Sequence, residues 1–286
     1  MSNMENDFEI KRTSIGFKRS ISQIKNTITF EIKKDLKKTL YMIVFFGCIF
    51  LLFLLLQLLM ENISGEPPED AISYISSFLA SGFGLLIPIS ASAFGGSIIA
   101  ADYQKQTKNL LFPKIGKERL LIGRIIANYT LNAIAICFYY ALVIIATFLK
   151  LGNVPIIILA SLGWALFYTF MLLSFVIFMS SVMKNTSYAI IVSILLLLIV
   201  FGMIQQILTF TGILEYLEPL FIITYYSGII TWILDTSVDR FGPAGFGPLA
   251  DYTSWNSPSV YGALWGILIY STVLLIAAYL IFKKRH

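Results

Sequence analysis

Long uninterrupted apolar runs recur along the chain, separated by short polar stretches. A helix needs about 20 consecutive apolar residues to cross a hydrocarbon layer about 30 Å thick. The pattern predicts six such helices, at about 41–60, 79–101 and 125–149, then one that ends at 183, and then 188–208 and 261–282. The expected fold class is therefore an all-α integral membrane protein with six transmembrane helices.

A shorter helical pattern precedes the first predicted span, after a polar stretch, 1–13, for which no fixed structure is expected. Apolar residues recur every three or four positions and so lie on one helical face, with lysines and arginines on the others. This face consists of Phe17, Ile21, Ile24, Ile28, Ile32 and Leu36. Such an amphipathic helix can lie in the lipid headgroup plane, and the alternative is that it packs against a protein surface. The pattern divides the chain into an N-terminal arm, 1–40, and a membrane domain, 41–286.

A long segment of mixed character, 210–260, separates the fifth and sixth predicted spans. Its apolar part, 217–234, is interrupted by Glu218-Pro219 and Ser227-Gly228, which disfavour a continuous helix. We interpret it as a re-entrant or interfacial helical element, with a seventh span as the alternative. A Gly/Pro-rich turn is expected at 241–248.

Composition excludes a water-soluble globular domain. Charged residues make up 13% and hydrophobic residues 57% of the chain, with a mean hydropathy of +0.80, whereas soluble domains carry about 25% charged residues. Both cysteines, Cys48 and Cys137, lie in apolar runs, which favours packing over redox or metal chemistry.

Charge is distributed unevenly between the two sides that six spans would create. Nineteen of the 21 Lys and Arg residues fall on the side of the termini, and nine of the 16 Asp and Glu residues fall on the other. Enrichment of Lys and Arg marks the cytoplasmic side. The distribution therefore favours six spans over seven, with both termini cytoplasmic in a plasma membrane, and it makes nucleic acid an improbable partner.

Catalytic chemistry has little support in the sequence. No Asp, Glu, Lys, Arg or His falls within the core of a predicted span, and the single histidine is the last residue, His286. HExxH, GxSxG and GxxxxGK[ST] motifs are absent. We expect a chain that is not an enzyme, binds no metal or cofactor itself, and is not driven by ions. Asn128 and Asn132 are expected to form hydrogen bonds between helices, and lining a transport path is the alternative.

The polar, basic stretch from Ala101 to Arg124 lies between the second and third predicted spans. A short helix is expected from Asp102, ending near Pro113, and a second helix from about Lys117 into the third span. Leu110-Leu111-Phe112 would form an apolar projection suited to a partner's cleft. Binding of anionic lipid by the basic residues is the alternative.

This stretch resembles the cytoplasmic loop of permease subunits of the ABC-2 type family of ABC transporters. The resemblance rests on Asp102, Thr107, Leu110-Leu111, Pro113, Ile115-Gly116-Lys117 and Gly123-Arg124. The chain departs from the family pattern at Gln106, where glycine is usual, at Gly116, where serine is usual, and in the position of the proline. The resemblance extends to the six spans, the amphipathic helix and the element between spans five and six.

The resemblance implies that a coupling helix within 102–121 docks on a separate P-loop ATPase, which would hold ATP and Mg²⁺. The implied contact residues are Asp102, Tyr103, Lys105, Thr107, Lys108, Leu110, Leu111, Phe112, Pro113, Ile115 and Lys117. It further implies export of a substrate and pairing with a second permease, either a copy of this chain or a homologue. The alternative function is a non-transporting membrane anchor or assembly factor that recruits a cytoplasmic protein. The sequence does not indicate the substrate.

Overall fold

The computed structural model describes residues 2–64, 70–104, 117–243 and 253–284. Helices dominate, and a two-stranded antiparallel sheet lies between the last two helices. The helices are α1 Ser2–Ser64, α2 Ala71–Gly95, α3 Ala100–Gln104, α4 Lys117–Leu151, α5 Ile158–Val182, α6 Thr186–Leu195, α7 Phe201–Phe210, α8 Gly228–Trp232 and α9 Val260–Lys284. A π-helical turn, Leu196–Val200, joins α6 to α7, and the strands are β1 Phe241–Pro243 and β2 Thr253–Trp255.

Six helical stretches are long and apolar enough to cross a membrane. They are Ser20–Ile63, Gly82–Tyr103, Glu118–Leu151, Ile158–Val182, Thr186–Phe210 and Val260–Lys284. Each overlaps one of the six spans expected from the sequence. The prediction of an all-α, multi-pass membrane protein with six spanning helices is therefore confirmed.

Helix α1 is one continuous helix of 63 residues, about 95 Å long. It runs parallel to α4, because Arg119 contacts Gln23 near one end and Lys150 contacts Glu61 near the other. The structure thus joins the predicted arm and the first span into one element. The first half of α1 is therefore not a separate helix. It continues in line with the spanning half, and both halves run along α4.

Between residues 20 and 40 of α1 the buried side chains are polar: Thr27, Glu31 and Thr39. The predicted apolar face is turned partly outward: Ile21 and Leu36 are 50% and 52% exposed. The middle of that face, Ile24, Ile28 and Ile32, is half-buried, and the side chain of Phe17 lies outside the described residues. The helix packs on the chain's own α4 through Gln23 and Thr27, and its position in the lipid headgroup plane stays a prediction.

Helices α2 and α5 form the centre of the bundle and are the most buried of the spanning helices. Small residues at the end of α2 allow this. A Cβ atom on Gly95 would lie 2.9 Å from Val176 of α5, and one on Gly96 would lie 2.5 Å from Ile190 of α6. The small residues at this end of α2 therefore form a packing surface for the neighbouring helices.

The second spanning stretch is interrupted between α2 and α3, where residues 96–99 form turns. At such a break, backbone N–H and C=O groups lose their helical hydrogen bonds, and inside a membrane they need other partners. Ser180 of α5 supplies them: its hydroxyl accepts hydrogen bonds from the N–H groups of Ile99 (3.1 Å) and Ala100 (2.9 Å) and donates one to the carbonyl of Gly96 (2.9 Å). One side chain therefore holds the break in place.

We expect Ser180→Ala to lower the free energy of unfolding in detergent by about 1–3 kcal/mol, because two buried N–H groups lose their side-chain acceptor. Ser174→Ala is the matched control. Ser174 is also buried in α5 but bonds only the carbonyl of Phe170 in its own helix, so a smaller loss is expected. Equal losses in the two variants would contradict the role given to Ser180.

The bundle has two chemically distinct ends. We call the end that contains residues 20–31, 98–104, 117–125 and 275–284 the basic end. The opposite end, which contains 61–64, 70–72, 150–158, 211–243 and 253–260, is the acidic end. Contacts across the bundle establish the two groups, for example Tyr279 with Glu118 at the basic end and Lys150 with Glu61 at the acidic end.

The segment between α7 and α9 enters the acidic end of the bundle without crossing it. Among its described residues the longest helical stretch is the 3-10 helix Ile223–Ser227 followed directly by α8, ten residues in all. This is too short to cross a bilayer, so the alternative of a seventh span is not supported. The Phe221 carbonyl accepts a hydrogen bond from Tyr270, ten residues into α9, and the Ile230 carbonyl accepts one from Ser161 in the first turn of α5. The segment thus packs about three turns deep along α9.

The hairpin formed by β1 and β2 was not predicted from the sequence. Phe241 pairs with Trp255, and their rings meet edge to face at 5.4 Å. Arg240 lies over the same indole ring at 5.2 Å and pairs with Glu218. Three-residue strands next to glycine and proline carry too few positions for an alternating pattern. The rest of the expected turn at 241–248 lies outside the described residues.

Candidate functional site

A buried arginine, Arg124 of α4, connects three helices at the basic end. Its guanidinium donates to both carboxylate oxygens of Asp102 in α3, at 2.6 and 3.0 Å. Its Nε donates to Glu31 of α1 at 3.0 Å, and Nη1 also donates to the carbonyl of Ile98 at 2.9 Å. We call Glu31, Asp102 and Arg124 the arginine cluster.

The arginine cluster is largely removed from solvent. The side chains of Asp102, Glu31 and Arg124 are 2%, 4% and 10% exposed. Two-pronged contacts between guanidinium and carboxylate are among the stronger hydrogen bonds in proteins. Lys34, which is half-exposed, also pairs with Glu31, so two positive groups balance two carboxylates. Removal of any one member would leave an uncompensated charge in a poorly hydrated place.

The cluster lies near one edge of the spanning region. Arg124 and Lys150 are 26 residues apart in α4, about 39 Å along the helix axis. The hydrocarbon core is about 30 Å thick and the bilayer with its headgroups about 40–45 Å. Arg124 and Lys150 can therefore lie at opposite interfaces. The sequence predicts helices at Asp102 and at Arg124, and both residues lie in helices. It does not predict their burial, which is possible because they neutralise each other.

A glycine sets the distance between α1 and α4 beside the cluster. A Cβ atom on Gly123 would lie 2.8 Å from the side chain of Thr27 and 3.3 Å from the carbonyl of Ile24. One turn earlier in α4, the guanidinium of Arg119 donates a hydrogen bond to the side-chain oxygen of Gln23 in α1 at 2.7 Å. The close approach lets the Arg124 side chain reach Glu31 while it holds Asp102.

The contact residues implied by the resemblance fall largely outside the described residues. Asp102 and Tyr103 lie in α3, where Asp102 joins the arginine cluster and Tyr103 is half-buried against the core. Lys117 is the first residue of α4, which agrees with the helix start expected there. Lys105, Thr107, Lys108, Leu110, Leu111, Phe112, Pro113 and Ile115 lie outside the described residues. The cluster therefore joins the two helices that flank this segment.

The two asparagines of α4 do not form the predicted hydrogen bonds between helices. Asn128 donates to the carbonyl of Arg124, one turn earlier in the same helix, at 3.0 Å. That carbonyl is within reach of a side chain four residues later, so the amide nitrogen of Asn128 is satisfied locally. The amide of Asn132 is fully buried and has no hydrogen-bond partner among the described residues.

Sequence reasoning missed Glu31 and did not identify Arg124 as a buried group. A signal was present: Gln23, Thr27 and Glu31 recur every four residues and form a polar stripe on α1. The more numerous lysines and isoleucines of this helix define a basic face and an apolar face, and the polar stripe lies between them.

Comparison with known proteins adds no family assignment. No family model matches the chain, and no curated protein matches it at a significant level.

Proposed function

We propose that this chain is the membrane-spanning permease subunit of an ATP-driven exporter of the ABC-2 type. In this proposal a separate P-loop ATPase binds ATP and Mg²⁺ and docks on the segment that follows α3. Two permeases, identical or homologous, pair in the plasma membrane and move a substrate across or out of the bilayer. The chain itself carries out no hydrolysis.

The observation that carries the proposal is the arginine cluster. Asp102 lies in α3, the helix before the 105–116 segment, and Arg124 lies in the first turns of α4, the helix after it. The two-pronged contact between Asp102 and Arg124 ties α3 to α4, and the bond between Arg124 and Glu31 ties α1 to both. A push on the segment would therefore move three helices together. Coupling between two distant sites needs an element with two discrete arrangements whose equilibrium each site can shift.

Charge distribution supports the orientation that the proposal needs. Nineteen of the 21 Lys and Arg residues belong to the basic end or its flanking segments, and such residues accumulate on the cytoplasmic side. Both termini and the 105–116 segment would then face the cytoplasm, where an ATPase is available. Residues 217–234 would enter from the outer face as a re-entrant element, supported by the contacts of Phe221 and Ile230 with α9 and α5.

The docking step predicts that Leu110→Asp and Leu111→Asp reduce binding of a co-expressed P-loop ATPase at least tenfold, because a charge replaces the apolar projection. Leu217→Asp is the matched control. Leu217 is 52% exposed at the acidic end, so the same substitution there should leave binding unchanged. Binding that survives both loop substitutions would remove the segment from the interface.

Activity in vesicles separates the exporter from the alternative, a non-transporting anchor. An exporter should stimulate the ATP hydrolysis of its partner and move a hydrophobic test substrate only when ATP is present. A wild-type chain that binds the ATPase but does neither would favour the anchor.

A further inference from the structure

An open groove of about 370 Å³ lies at the basic end, between the first turns of α4 and the last turns of α5 and α9. Its volume falls in the range of small-molecule sites, about 300–1,000 Å³. Hydrocarbon side chains form most of its wall: Leu121, Ile122, Ile125, Ile177, Leu275 and Ile276. Ile122 and Ile276 are 47% and 54% exposed, so the groove opens to the outside of the bundle.

The outer end of the groove is polar. The hydroxyl of Tyr279 donates to the carboxylate of Glu118 at 2.6 Å, and this bond joins α9 to α4. Lys283 follows Tyr279 by four residues, so it lies on the same face of α9, one turn farther along. Lys283 and Lys284 are both exposed and form no ion pair with the described residues. The apolar wall is therefore followed by a hydrogen-bonded polar pair and then by two free cations.

The groove lies where the headgroups of a bilayer meet its hydrocarbon core. Ile125 directly follows Arg124, which is near one edge of the spanning region, and Glu118 lies about 10 Å farther out along α4. Because Tyr279 contacts Glu118, α9 passes this level on its way out of the bundle, and Lys283 lies beyond it. The lining thus changes from hydrocarbon to cationic in the direction from the bilayer centre to water.

A phospholipid with an anionic headgroup has its groups in the matching order, with an acyl chain inside and a phosphate outside. Basic pockets between spanning helices bind such headgroups. A water-soluble anion would leave the apolar wall uncovered, and a neutral lipid would leave the two lysines without a counter-charge. The carboxylate of Glu118 is held by Tyr279, and the phosphate would lie one turn away from that pair, beside Lys283.

We infer that this groove binds one anionic phospholipid of the surrounding bilayer. The upper part of an acyl chain covers Ile122 and Ile276, and the phosphate pairs with Lys283 and Lys284. The inference is independent of the proposed export function, because it concerns binding to the isolated chain.

Titration of the full chain in a neutral detergent tests the inference, with bound lipid per chain counted by native mass spectrometry. The probes are phosphatidylglycerol and phosphatidylcholine with the same acyl chains, and glycerol 3-phosphate, which carries the phosphate without the chains. We expect one phosphatidylglycerol per chain to bind at least fivefold more tightly than phosphatidylcholine, and glycerol 3-phosphate not to displace it. Equal binding of the two lipids, or displacement by glycerol 3-phosphate, would overturn the inference.

The double variant Lys283→Gln with Lys284→Gln should weaken phosphatidylglycerol binding at least fivefold, because the phosphate loses both counter-charges. Lys25→Gln with Lys33→Gln is the matched control. Both of these lysines are exposed in α1, which does not line the groove, so the same change in net charge should alter binding less than twofold. Equal weakening by the two double variants would show general charge attraction and would refute a defined site.

Ile276→Trp tests the apolar wall. Because Ile276 is exposed, the larger ring can occupy the groove without displacing buried side chains, and phosphatidylglycerol binding should weaken at least fivefold. Ile269→Trp makes the same change two turns earlier in α9, where the residue is 59% exposed and outside the groove, and it should leave binding unchanged. Binding that survives Ile276→Trp would place the lipid elsewhere and contradict the inference.

Discussion

Replacement of Arg124 by alanine is expected to lower the free energy of unfolding in detergent by about 3–5 kcal/mol, the usual cost of breaking a buried ion pair by removing one partner. The buried carboxylate of Asp102 would lose its contact with the guanidinium, and Glu31 would keep only Lys34. Arg124→Lys should recover only part of the loss, because one ammonium group cannot reproduce the two-pronged contact with Asp102. Thermal or SDS-induced unfolding of the purified chain measures both variants.

Arg119→Ala is the matched control for this prediction. Arg119 lies in the same helix and makes one hydrogen bond to Gln23, so its loss should cost about 1 kcal/mol or less. A neutral triple variant, Glu31→Gln, Asp102→Asn and Arg124→Met, separates stability from coupling. It should recover stability, because no buried charge remains, whereas ATPase-driven transport should stay impaired. Arg124→Ala with no more effect than Arg119→Ala would contradict the arginine cluster.

Gly123→Leu is expected to lower the free energy of unfolding by about 3 kcal/mol, at the upper end of overpacking costs. Any side chain at this position meets Thr27 and the carbonyl of Ile24. Helices α1 and α4 would have to separate, and the contact between Glu31 and Arg124 would be lost with them. Unfolding in detergent measures the stability, and ATPase stimulation measures the coupling.

Gly163→Leu controls for the general effect of replacing a helical glycine. Gly163 lies on the exposed side of α5, and a Cβ atom there would meet nothing within 4 Å. Leucine favours a helix over glycine by up to about 1 kcal/mol, so this variant should be neutral or slightly stabilised. Similar destabilisation of the two variants would mean that the close approach at Gly123 is unimportant.

The spanning helices could be predicted from the sequence, because each one is a long apolar run. Six apolar runs became six spanning helices, and α4 begins at Lys117 as expected. Bilayer thickness imposes a minimum length on each run, so these elements stand out without knowledge of their neighbours.

Features that depend on pairs of distant residues could not be predicted in the same way. The break at 96–99 is held by Ser180, some 80 residues away, and the pairing of Glu31 with Arg124 spans 93 residues. A single sequence contains each partner but gives no indication that they meet. The continuity of α1 was missed for a different reason: the change from basic to apolar composition near residue 40 resembles a boundary, although nothing there breaks the helix.

Labelling of single cysteines tests most directly the claim on which the proposed function depends, that the segment between α3 and α4 faces the cytoplasm. Cys48 and Cys137 are first replaced by serine, and Lys114→Cys or Ser237→Cys is then introduced. A membrane-impermeant maleimide applied to intact cells should label Ser237→Cys, whereas Lys114→Cys should be labelled only after the membrane is permeabilised. Labelling of Lys114→Cys in intact cells would place the segment outside, beyond the reach of a cytoplasmic ATPase, and would contradict the proposal.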